Sequence, residues 1–548
     1  MKKLSKATLI ILNLILSQNT VGLITNSENA FSGYTLFAPN NSKNTYIIDN
    51  DGLLINQWTS EYVPGLSVYL LENGNLLRSS AIESTNNNQT GGFELLTWDN
   101  VLIWKFYHGR QHHDIEPLPN GNVLIIVNDV KTFSEALDAG RDPEKLLSNN
   151  IRSLSILEIA QTGFDTGEIV WEWHAWDHLI QDFDETKANY GNVGTHPELI
   201  DINFAPNMYS DWLHTNSIDY NAELDQIVVS NRNTNEIWII DHSTTTSEAA
   251  SHSGGISGKG GDLLFRWGNP HSYRAGEEAD QKLFGQHDAN WIKDELNGYQ
   301  NRLMIFNNGI DRPSGDYSTA IEINTPLIEN NNYNILASGA FGPSNIVWSY
   351  VSQDTFDFFS PRFGSAQRMP NGNSLISNSD MGTFFEIDSA GQMIWVYVNP
   401  VSSGGILFQG DSAQSNTVFR CYRYNTNYAG FNGLDLSPIG PIEYYLNTVN
   451  NDLNNRLSYS LHDNYPNPFN PKTILSYYLP KETYVTLTVY NTRGQLVKIL
   501  VNGFQPGGLN AIAWDATNSS GNQVTTGLYI YRIKTPEFED SKISLFIK

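Results

Sequence analysis

LLTWDNVLIW (residues 95–104) and PLPNGNVLI (residues 117–125) are the two stretches of the sequence that decide the fold. In each of them, two short apolar runs flank a turn of polar residues, which is typical of a β-hairpin. The Asn-Gly pair in the second stretch favours a two-residue primed turn. Two hairpins in succession predict one antiparallel unit of four strands.

Both stretches recur along the chain. The first returns as YIIDNDGLLINQW (46–58), LEIAQTGFDTGEIVW (157–171) and IDSAGQMIW (387–395), and the second as LLENGNLLR (70–78) and RMPNGNSLI (368–376). With two looser copies, the closing tryptophans are Trp58, Trp104, Trp171, Trp267, Trp348 and Trp395. Six four-stranded units with no helical period between them predict a six-bladed β-propeller. A large β-sandwich is the alternative, and the regular alternation of the two phrases favours the propeller.

The length of the chain requires more than one domain, because 548 residues exceed what a single core normally supports. We place the propeller at residues 32–446, an Asn-rich linker at 447–460 and a second domain at 461–548. Alternating strands and glycine-rich turns in the second domain predict a small Ig-like β-sandwich. The predicted fold class is therefore all-β.

The N-terminus is typical of an export signal. Three lysines precede a largely apolar run from Ala7 to Leu16, which is too short to span a bilayer. We expect a signal peptide over residues 1–22, with an uncleaved membrane anchor as the alternative. No later apolar segment is long enough to span, so the mature chain is expected to lack an integral membrane segment and to be secreted or attached to the outer cell surface.

Charge and cysteine content limit the possible partners. A formal net charge of −25 argues against nucleic acid or an anionic membrane surface as the main partner. Cys421 is the only cysteine, which excludes an internal disulfide and a cysteine metal cluster.

Three histidines occupy one position of the repeat. His113, His214 and His287 each lie seven residues before the turn of the first hairpin in their unit, where Gly364 stands in the sixth unit. This position is the beginning of the first strand, and the first strand of a propeller blade lines the central channel. The three imidazoles are therefore predicted to meet at one mouth of the channel.

Long insertions are predicted to gather over the same mouth. Extended linkers run directly into the three histidines, and the helical-looking segment FSEALDAGRDPEKLL (133–147) falls between the second and third strands of the His113 unit. Long loops over one face commonly form a lid or a pocket. Arg232 and Arg312 follow the ends of second strands and are expected near this face.

Histidines and arginines in one cluster suit a compact anionic group. Arginine offers a rigid fork of donors to a tetrahedral oxyanion, and imidazole can exchange a proton or act as a nucleophile near neutral pH. From these residues alone, phosphoryl transfer, sulfuryl transfer and metal binding remain open. No glycine-rich loop with a phosphate-binding lysine is present, which weakens a nucleotide-binding interpretation.

DWLHTNSIDYN (211–221), KLFGQHDANWI (282–292) and SAQRMPNGNSLI (365–376) resemble the bacterial arylsulfate sulfotransferase family, and the resemblance runs from about residue 32 to residue 443. The resemblance implies a six-bladed propeller that moves sulfate from an aryl sulfate donor to a phenolic acceptor without a cofactor. It further implies ping-pong chemistry through a sulfated histidine, with no metal at the site.

The resemblance also assigns roles to individual residues. The catalytic candidates are His214, His287, His113 and Arg312, and the substrate-binding candidates are Arg232, Asn216, Asn290 and Asn307. One departure stands out, because the best-known members of the family take their covalent histidine from a later blade, where this chain has Gly364. A metal-dependent propeller enzyme using the same histidines and a non-catalytic surface protein that binds sulfated or phenolic ligands are the alternatives.

The last domain has a resemblance of its own. NYPNPFNPKT (464–473), VYNTRGQLV (489–497) and GLYIYRI (527–533) resemble the sorting domain of the type IX secretion system. This implies the type IX secretion machinery as a partner and export across the outer membrane. An ordinary Ig-like accessory module is the alternative.

Overall fold

A computed structural model describes residues 20–548, with gaps at 83–89, 205–209, 294–300, 326, 446–458, 463 and 465–466. The predicted signal peptide lies outside the described residues up to residue 19, and the predicted linker lies outside them up to residue 458.

The N-terminal part of the described chain is built from short strands. In chain order they are β1 (Gly22–Asn26), β2 (Gly33–Pro39), β3 (Asn44–Ile48), β4 (Leu53–Thr59), β5 (Pro64–Leu70), β6 (Leu76–Ser80), β7 (Thr90–Leu96), β8 (Leu102–Pro117), β9 (Val123–Thr132), β10 (Asn150–Gln161), β11 (Gly167–His174), β12 (Leu179–Ile180), β13 (Ile200–Asp201), β14 (Thr215–Asn221), β15 (Gln226–Asn231), β16 (Glu236–Asp241), β17 (Phe265–Trp267), β18 (His287–Trp291), β19 (Arg302–Asn307), β20 (Thr319–Asn324), β21 (Trp348–Tyr350), β22 (Ser365–Arg368), β23 (Ser374–Asn378), β24 (Thr383–Ile387), β25 (Met393–Val398), β26 (Val401–Ser402), β27 (Gly405–Ile406), β28 (Val418–Asn425) and β29 (Gly440–Pro441).

Five blades follow one another along the chain, each a four-stranded antiparallel sheet with its first strand innermost. They are β5–β8, β8–β11, β14–β17, β18–β21 and β22–β25, and the first strands of successive blades contact one another. The long strand β8 closes one blade with its first half and opens the next with its second half.

The remaining blade joins the two ends of the propeller. It is numbered as the first blade, so the five blades above are the second to the sixth. Strand β28 pairs with β2, so a late segment supplies the innermost strand and β2–β4 supply the other three. This pairing completes a six-bladed β-propeller and confirms the predicted fold class. The repeat analysis did not predict the exchange, since VFRCYRYN (418–425) carries neither repeated phrase.

The closing tryptophans connect neighbouring blades. The indole N–H of Trp58 donates to the carbonyl of Thr97, that of Trp104 to Thr166 and that of Trp395 to Asn50, each in the next blade at 2.8–3.1 Å. Trp267 donates to the carbonyl of Pro343 in the same way, whereas Trp171 donates to the hydroxyl of Thr244. Five of the six closing tryptophans are therefore buried and donate a hydrogen bond to the next blade.

The Asn-Gly turns differ from the primed type that the sequence predicts. Gly74, Gly121 and Gly372 have φ values of 82°, 88° and 89°, whereas the preceding asparagines are not left-handed. The amide of Gly74 donates to the carbonyl of Leu71, three residues back, at 2.9 Å. The loop is thus a type I turn followed by a left-handed glycine, a three-residue hairpin loop that Asn-Gly serves equally well.

Short helices interrupt the sheets. They are α1 (Phe133–Asp138) and α2 (Thr246–Ala249), with single turns of 3₁₀-helix at Pro143–Lys145, Ala175–His178, Val193–Thr195, Pro270–Tyr273, Glu278–Asp280, Glu329–Asn331, Thr355–Asp357, Ser379–Met381 and Ala429–Phe431. Helix α1 confirms the helical insertion, and a capping box between Thr132 and Glu135 begins it. Among the described residues, no helix is long and apolar enough to cross a bilayer.

The C-terminal strands form a separate two-sheet unit. They are β30 (Ser460–Leu461), β31 (Thr473–Leu479), β32 (Thr483–Asn491), β33 (Leu496–Gln505), β34 (Gly508–Trp514), β35 (Gly527–Lys534) and β36 (Glu539–Phe546). Strands β30, β31 and β34 make one sheet, and β33, β32, β35 and β36 make the other. Leu475 and Tyr477 of the first sheet share a core with Leu487 and Tyr531 of the second, which confirms an Ig-like sandwich.

Candidate active site

The beginnings of the innermost strands bring the predicted histidines together. The rings of His113 and His214 pack edge to face with centroids 4.8 Å apart. His287 is close enough for its charge to affect the pKa of His113. Two phenylalanine rings connect His113 to His287. The ring centroid of Phe419 lies 6.3 Å from that of His113, and the centroid of Phe363 lies 6.2 Å from that of His287. The centroids of Phe363 and Phe419 are 5.4 Å apart. The three imidazoles therefore meet at one mouth of the channel.

A bulge in the second half of β8 and another near the start of β14 accompany left-handed backbone at two of these histidines. His113 and His214 have φ values of 54° and 51°, and Gly364 at the equivalent position has 110°. Left-handed backbone at non-glycine residues costs free energy and concentrates at functional sites. In the fifth blade the left-handed residue is Asp288 at 50°, so His287 is offset by one position from the register that the sequence predicts. That register was counted from Asp294, which lies outside the described residues.

His214 forms a pair with a carboxylate. Its Nδ1 lies 2.6 Å from Oδ2 of Asp211, and Nε2 has no partner among the described residues. The side chain of His214 is 28% exposed at the mouth. Burial alone would raise the pKa of Asp211, but the hydrogen bond to His214 keeps it below its ordinary value. An Nδ1–H donated to a carboxylate leaves Nε2 as the ring nitrogen with the lone pair.

His112, which sequence reasoning missed, completes the cluster beside His113. The Nδ1 atoms of the two rings lie 2.9 Å apart, so one N–H is shared between them. Burial lowers the pKa of His112 to about 4 and that of His113 well below its ordinary value. Both imidazoles are therefore neutral at neutral pH.

His287 is held by hydrogen bonds at both ring nitrogens. Its Nδ1 lies 2.7 Å from Oδ1 of Asn308, and the amide of Phe363 donates to Nε2 at 3.3 Å. The side chain of Asn308 also donates to the carbonyl of Phe363, which fixes the amide orientation. Burial lowers the pKa of His287 to about 3, so it is a neutral and firmly oriented ring.

Three guanidinium groups act on this cluster. The charge of Arg232 lowers the pKa of His287, that of Arg152 lowers the pKa values of His112 and Asp211, and that of Arg420 lowers the pKa values of His113 and His287. Arg152, which sequence reasoning missed, pairs with Asp211 in an isolated backbone β-bridge. Arginines and aspartates therefore both lie at the mouth.

Arg312 lies on the rim. Its guanidinium stacks 4.3 Å from the ring centroid of Tyr317 and 5.2 Å from that of Phe284, three residues before His287. It also donates to the carbonyl of Tyr317. The predicted role of Arg312 at the oxyanion stays a prediction.

The three predicted asparagines have backbone partners. Asn216 donates to the carbonyl of Gln286, Asn290 to that of Ala366 and Asn307 to that of Lys282. The buried Oδ1 of Asn216 has no partner among the described residues. Of the three amides, Asn216 therefore keeps an acceptor available, whereas Asn307 also accepts from the amide of Phe284.

Arg420 of the closing strand lies beneath the histidines. Its Nη1 is 2.7 Å from Oδ2 of Asp114, its Nε is 3.1 Å from Oδ1 of Asp288, and Nη2 donates to the carbonyl of Asn216. Each of these aspartates directly follows a channel histidine. The His-Asp pairs at 113–114 and 287–288 were visible in the sequence and could have indicated this network.

The sequence model of the family described as Arylsulfotransferase (ASST) matches residues 13–420, most of the chain. The chain belongs to this arylsulfotransferase family. A second match, to the FlgD Ig-like domain, covers residues 472–536. Among curated proteins, none matches.

Three solved structures to which the chain is similar illustrate the distance of these matches. A protein of unknown function from Bacteroides caccae has 12% identity and a TM-score of 0.36, with 72% of this chain and 99% of that chain covered. Virginiamycin B lyase from Staphylococcus aureus has 10% identity and a TM-score of 0.32, with coverage of 71% and 86%. FlgD from P. aeruginosa has 27% identity and a TM-score of 0.12, with coverage of 14% and 60%.

Gly364 occupies the sixth-blade position equivalent to the channel histidines. A Cβ atom there would lie 2.3 Å from the ring of Phe306, and the backbone is left-handed. A side chain at this position would require Phe306 to move. This register position therefore offers no side chain to the channel.

A cavity of about 510 Å³ lies against strands β8–β11. It is lined by His108, Gly109, Arg110, Val127, Asn128, Asp129, Ser155, Leu157, Ile169, Glu172 and His174. None of the channel histidines is among these lining residues.

Proposed function

We propose that this protein transfers a sulfuryl group from a phenolic sulfate ester to a phenol, with His214 as the covalent nucleophile. Membership of the family supports the reaction class. The observation that carries the assignment of His214 is its pairing with Asp211 at 2.6 Å, which leaves Nε2 as the available nitrogen in a partly exposed ring. His287, by contrast, has both nitrogens engaged.

The proposed first half-reaction forms a nitrogen–sulfur bond. The lone pair on Nε2 of His214 attacks sulfur, the bond from sulfur to the aryl oxygen breaks, and the phenolate leaves with the bonding electrons. The positive charge that develops on the ring is stabilised through Nδ1–H by the carboxylate of Asp211. In the second half-reaction the oxygen of the acceptor phenol attacks sulfur, the bond from sulfur to Nε2 breaks, the phenol proton passes to solvent, and His214 is regenerated.

The proposed binding of the sulfonate oxygens uses fixed charges and dipoles. Arg232 supplies a guanidinium close to His287. Preorganised donors of this kind stabilise the oxyanion without reorganisation during the reaction. We expect no cofactor, and we expect no metal at the channel.

The direct test is turnover of p-nitrophenyl sulfate with phenol as acceptor, measured as the release of nitrophenol. We expect His214→Ala to lose at least about a hundredfold in kcat, as is typical when a proton-transferring or nucleophilic group is removed. His196→Ala is the matched control, because His196 is an exposed histidine paired with Glu198 at 3.0 Å. Equal turnover by wild type, His214→Ala and His287→Ala would refute the site.

We also propose that the chain is exported, with residues 461–548 as a type IX sorting domain. The resemblance of its three strand motifs supports this proposal, and the Ig-like match supports the domain type. In a host with type IX secretion, deletion of residues 461–548 should leave the protein in the periplasm instead of at the surface or in the medium. Unchanged surface delivery of the truncated chain would contradict the sorting role.

A further inference from the structure

A second cluster of histidines lies outside the channel. His178 ends the 3₁₀ turn that follows β11, whereas His252 and Asp262 belong to the loop between β16 and β17. One potential ligand atom from each residue lies within 4.8 Å of the others. From this cluster we infer that the protein binds one Zn²⁺ ion through His178, His252 and Asp262.

The three side chains converge on one point. Nδ1 of His178 and Nδ1 of His252 lie 2.8 Å and 2.7 Å from the same oxygen, Oδ1 of Asp262. His178 is fully buried and Asp262 is nearly so, while the side chain of His252 is 63% exposed. Two imidazole nitrogens and one carboxylate, with an open side for water, are a ligand set that zinc commonly takes.

The second nitrogen of His178 orients the ring. Nε2 lies 2.8 Å from the carbonyl oxygen of Ala249, which can only accept, so Nε2 donates to it. Nδ1 is therefore the nitrogen that faces Asp262 and is placed to bind a cation. An N–H donated to a carbonyl is also the usual support of a metal-binding histidine.

The surrounding loop is shaped around His178. The ring stacks on Trp173 at 5.5 Å with planes 5° apart. A Cβ atom on Gly261 would lie 2.6 Å from Nε2 of His178 and 1.9 Å from the carbonyl of Ala249, so only glycine allows this approach. Gly254, Gly255, Gly258 and Gly260 are left-handed, and Ile256 at the tip is exposed. A loop with so little apolar packing gains order from a bound ion.

The inferred ion links two neighbouring blades. His178 lies just after β11, the last strand of the third blade, and Asp262 lies shortly before β17, the last strand of the fourth. None of the three ligands belongs to the channel cluster, so the inferred ion lies apart from the site proposed for sulfuryl transfer.

The test uses the full chain, stripped with a chelator, desalted and dialysed to equilibrium against ZnCl₂, with bound zinc measured by mass spectrometry of the elements. Wild type should retain about one Zn²⁺ per chain and melt at a higher temperature with zinc than without it. His252→Ala, an exposed substitution compatible with folding, should lose both effects, whereas His196→Ala should keep both.

His214→Ala separates this site from the channel histidines, because it should bind zinc like wild type. Loss of zinc in His214→Ala with retention in His252→Ala would place the ion in the channel and overturn the inference. Equal zinc content in all variants, or none in wild type, would also overturn it.

Discussion

At the scale of single residues, burial divides the channel histidines by role. Burial holds His112 and His287 neutral, with pKa values lowered to about 4 and about 3. His214 differs, because it is partly exposed and bonded to an ionised carboxylate. A neutral ring suits binding and orientation, whereas a ring backed by a carboxylate suits attack on sulfur.

Asp211→Asn tests that difference. The asparagine can still accept from Nδ1–H of His214, but it cannot stabilise the cationic ring that forms during transfer. Hydrogen bonds to charged groups contribute about 1.5–3 kcal/mol, so kcat for p-nitrophenyl sulfate should fall roughly ten- to a hundredfold. A KM close to that of wild type is expected, and an unchanged kcat would show that Asp211 does not assist His214.

His287 makes stability depend on pH. Its folded pKa of about 3 lies below the unfolded value of about 6.5, so the unfolded chain takes up the proton first as pH falls. Relative to His287→Gln, wild type should lose about 2 kcal/mol of unfolding free energy between pH 7.5 and pH 5. Urea unfolding at the two pH values measures the change, and a constant difference would contradict the buried neutral ring.

Sequence reasoning found the histidines but not their supports. A repeat register identifies residues that recur, as His113 and His214 do. The supporting residues do not recur in the repeat register, and only the fold brings them into contact with the cluster. They are Asp211, Asn308 and Arg420. Partners supplied by a different part of the chain leave no periodic trace in the sequence.

At the scale of strands and blades, a closing tryptophan forms a hydrogen bond to the next blade. Trp395 joins the sixth blade to the first through Asn50 at 2.8 Å. Trp395→Phe leaves that carbonyl without its donor and should cost about 1–3 kcal/mol of unfolding free energy. Chemical denaturation monitored by circular dichroism measures the loss, and a variant as stable as wild type would show that the indole bond contributes nothing.

His242, directly after β16, links Glu158 of strand β10 to Asp225 in the turn between β14 and β15. Burial alone would lower its pKa, but hydrogen bonds to Asp225 at 2.7 Å and Glu158 at 3.1 Å raise it to about 9. A raised folded pKa gives stability that is complete below the unfolded pKa of about 6.5 and is lost as pH rises through 9.

His242→Gln should therefore be less stable than wild type by up to about 3 kcal/mol at pH 6, and the difference should shrink by pH 10. Thermal melts at both pH values provide the measurement. A difference that grows with pH would reverse the sign and contradict the ion-paired histidine.

Most strands could be predicted because hairpin phrases and closing tryptophans repeat. Two features could not. Strand β28 carries no repeated phrase, and its partner β2 lies almost four hundred residues earlier in the chain. The one-residue offset at His287 could not be foreseen either, because the chain has no Asn-Gly pair there and the register was counted from Asp294, outside the described residues.

At the scale of the whole molecule, closure of the ring makes the channel. Arg420 of the closing strand reaches Asp114 and Asp288, the residues after two channel histidines. A chain that ends at residue 445 keeps this strand and should transfer sulfate like the full chain. A chain that ends at residue 417 lacks β28 and should neither unfold cooperatively nor transfer sulfate. Turnover of aryl sulfate by this shorter chain would contradict the role of closure.

The covalent step at the channel mouth is tested most directly by mass spectrometry of the protein after brief incubation with an aryl sulfate and no acceptor. We predict an added mass of one SO₃ group on the peptide that contains His214, removed when phenol is added. An adduct on another residue, or nitrophenol release with phenol but no adduct at any time, would contradict the account.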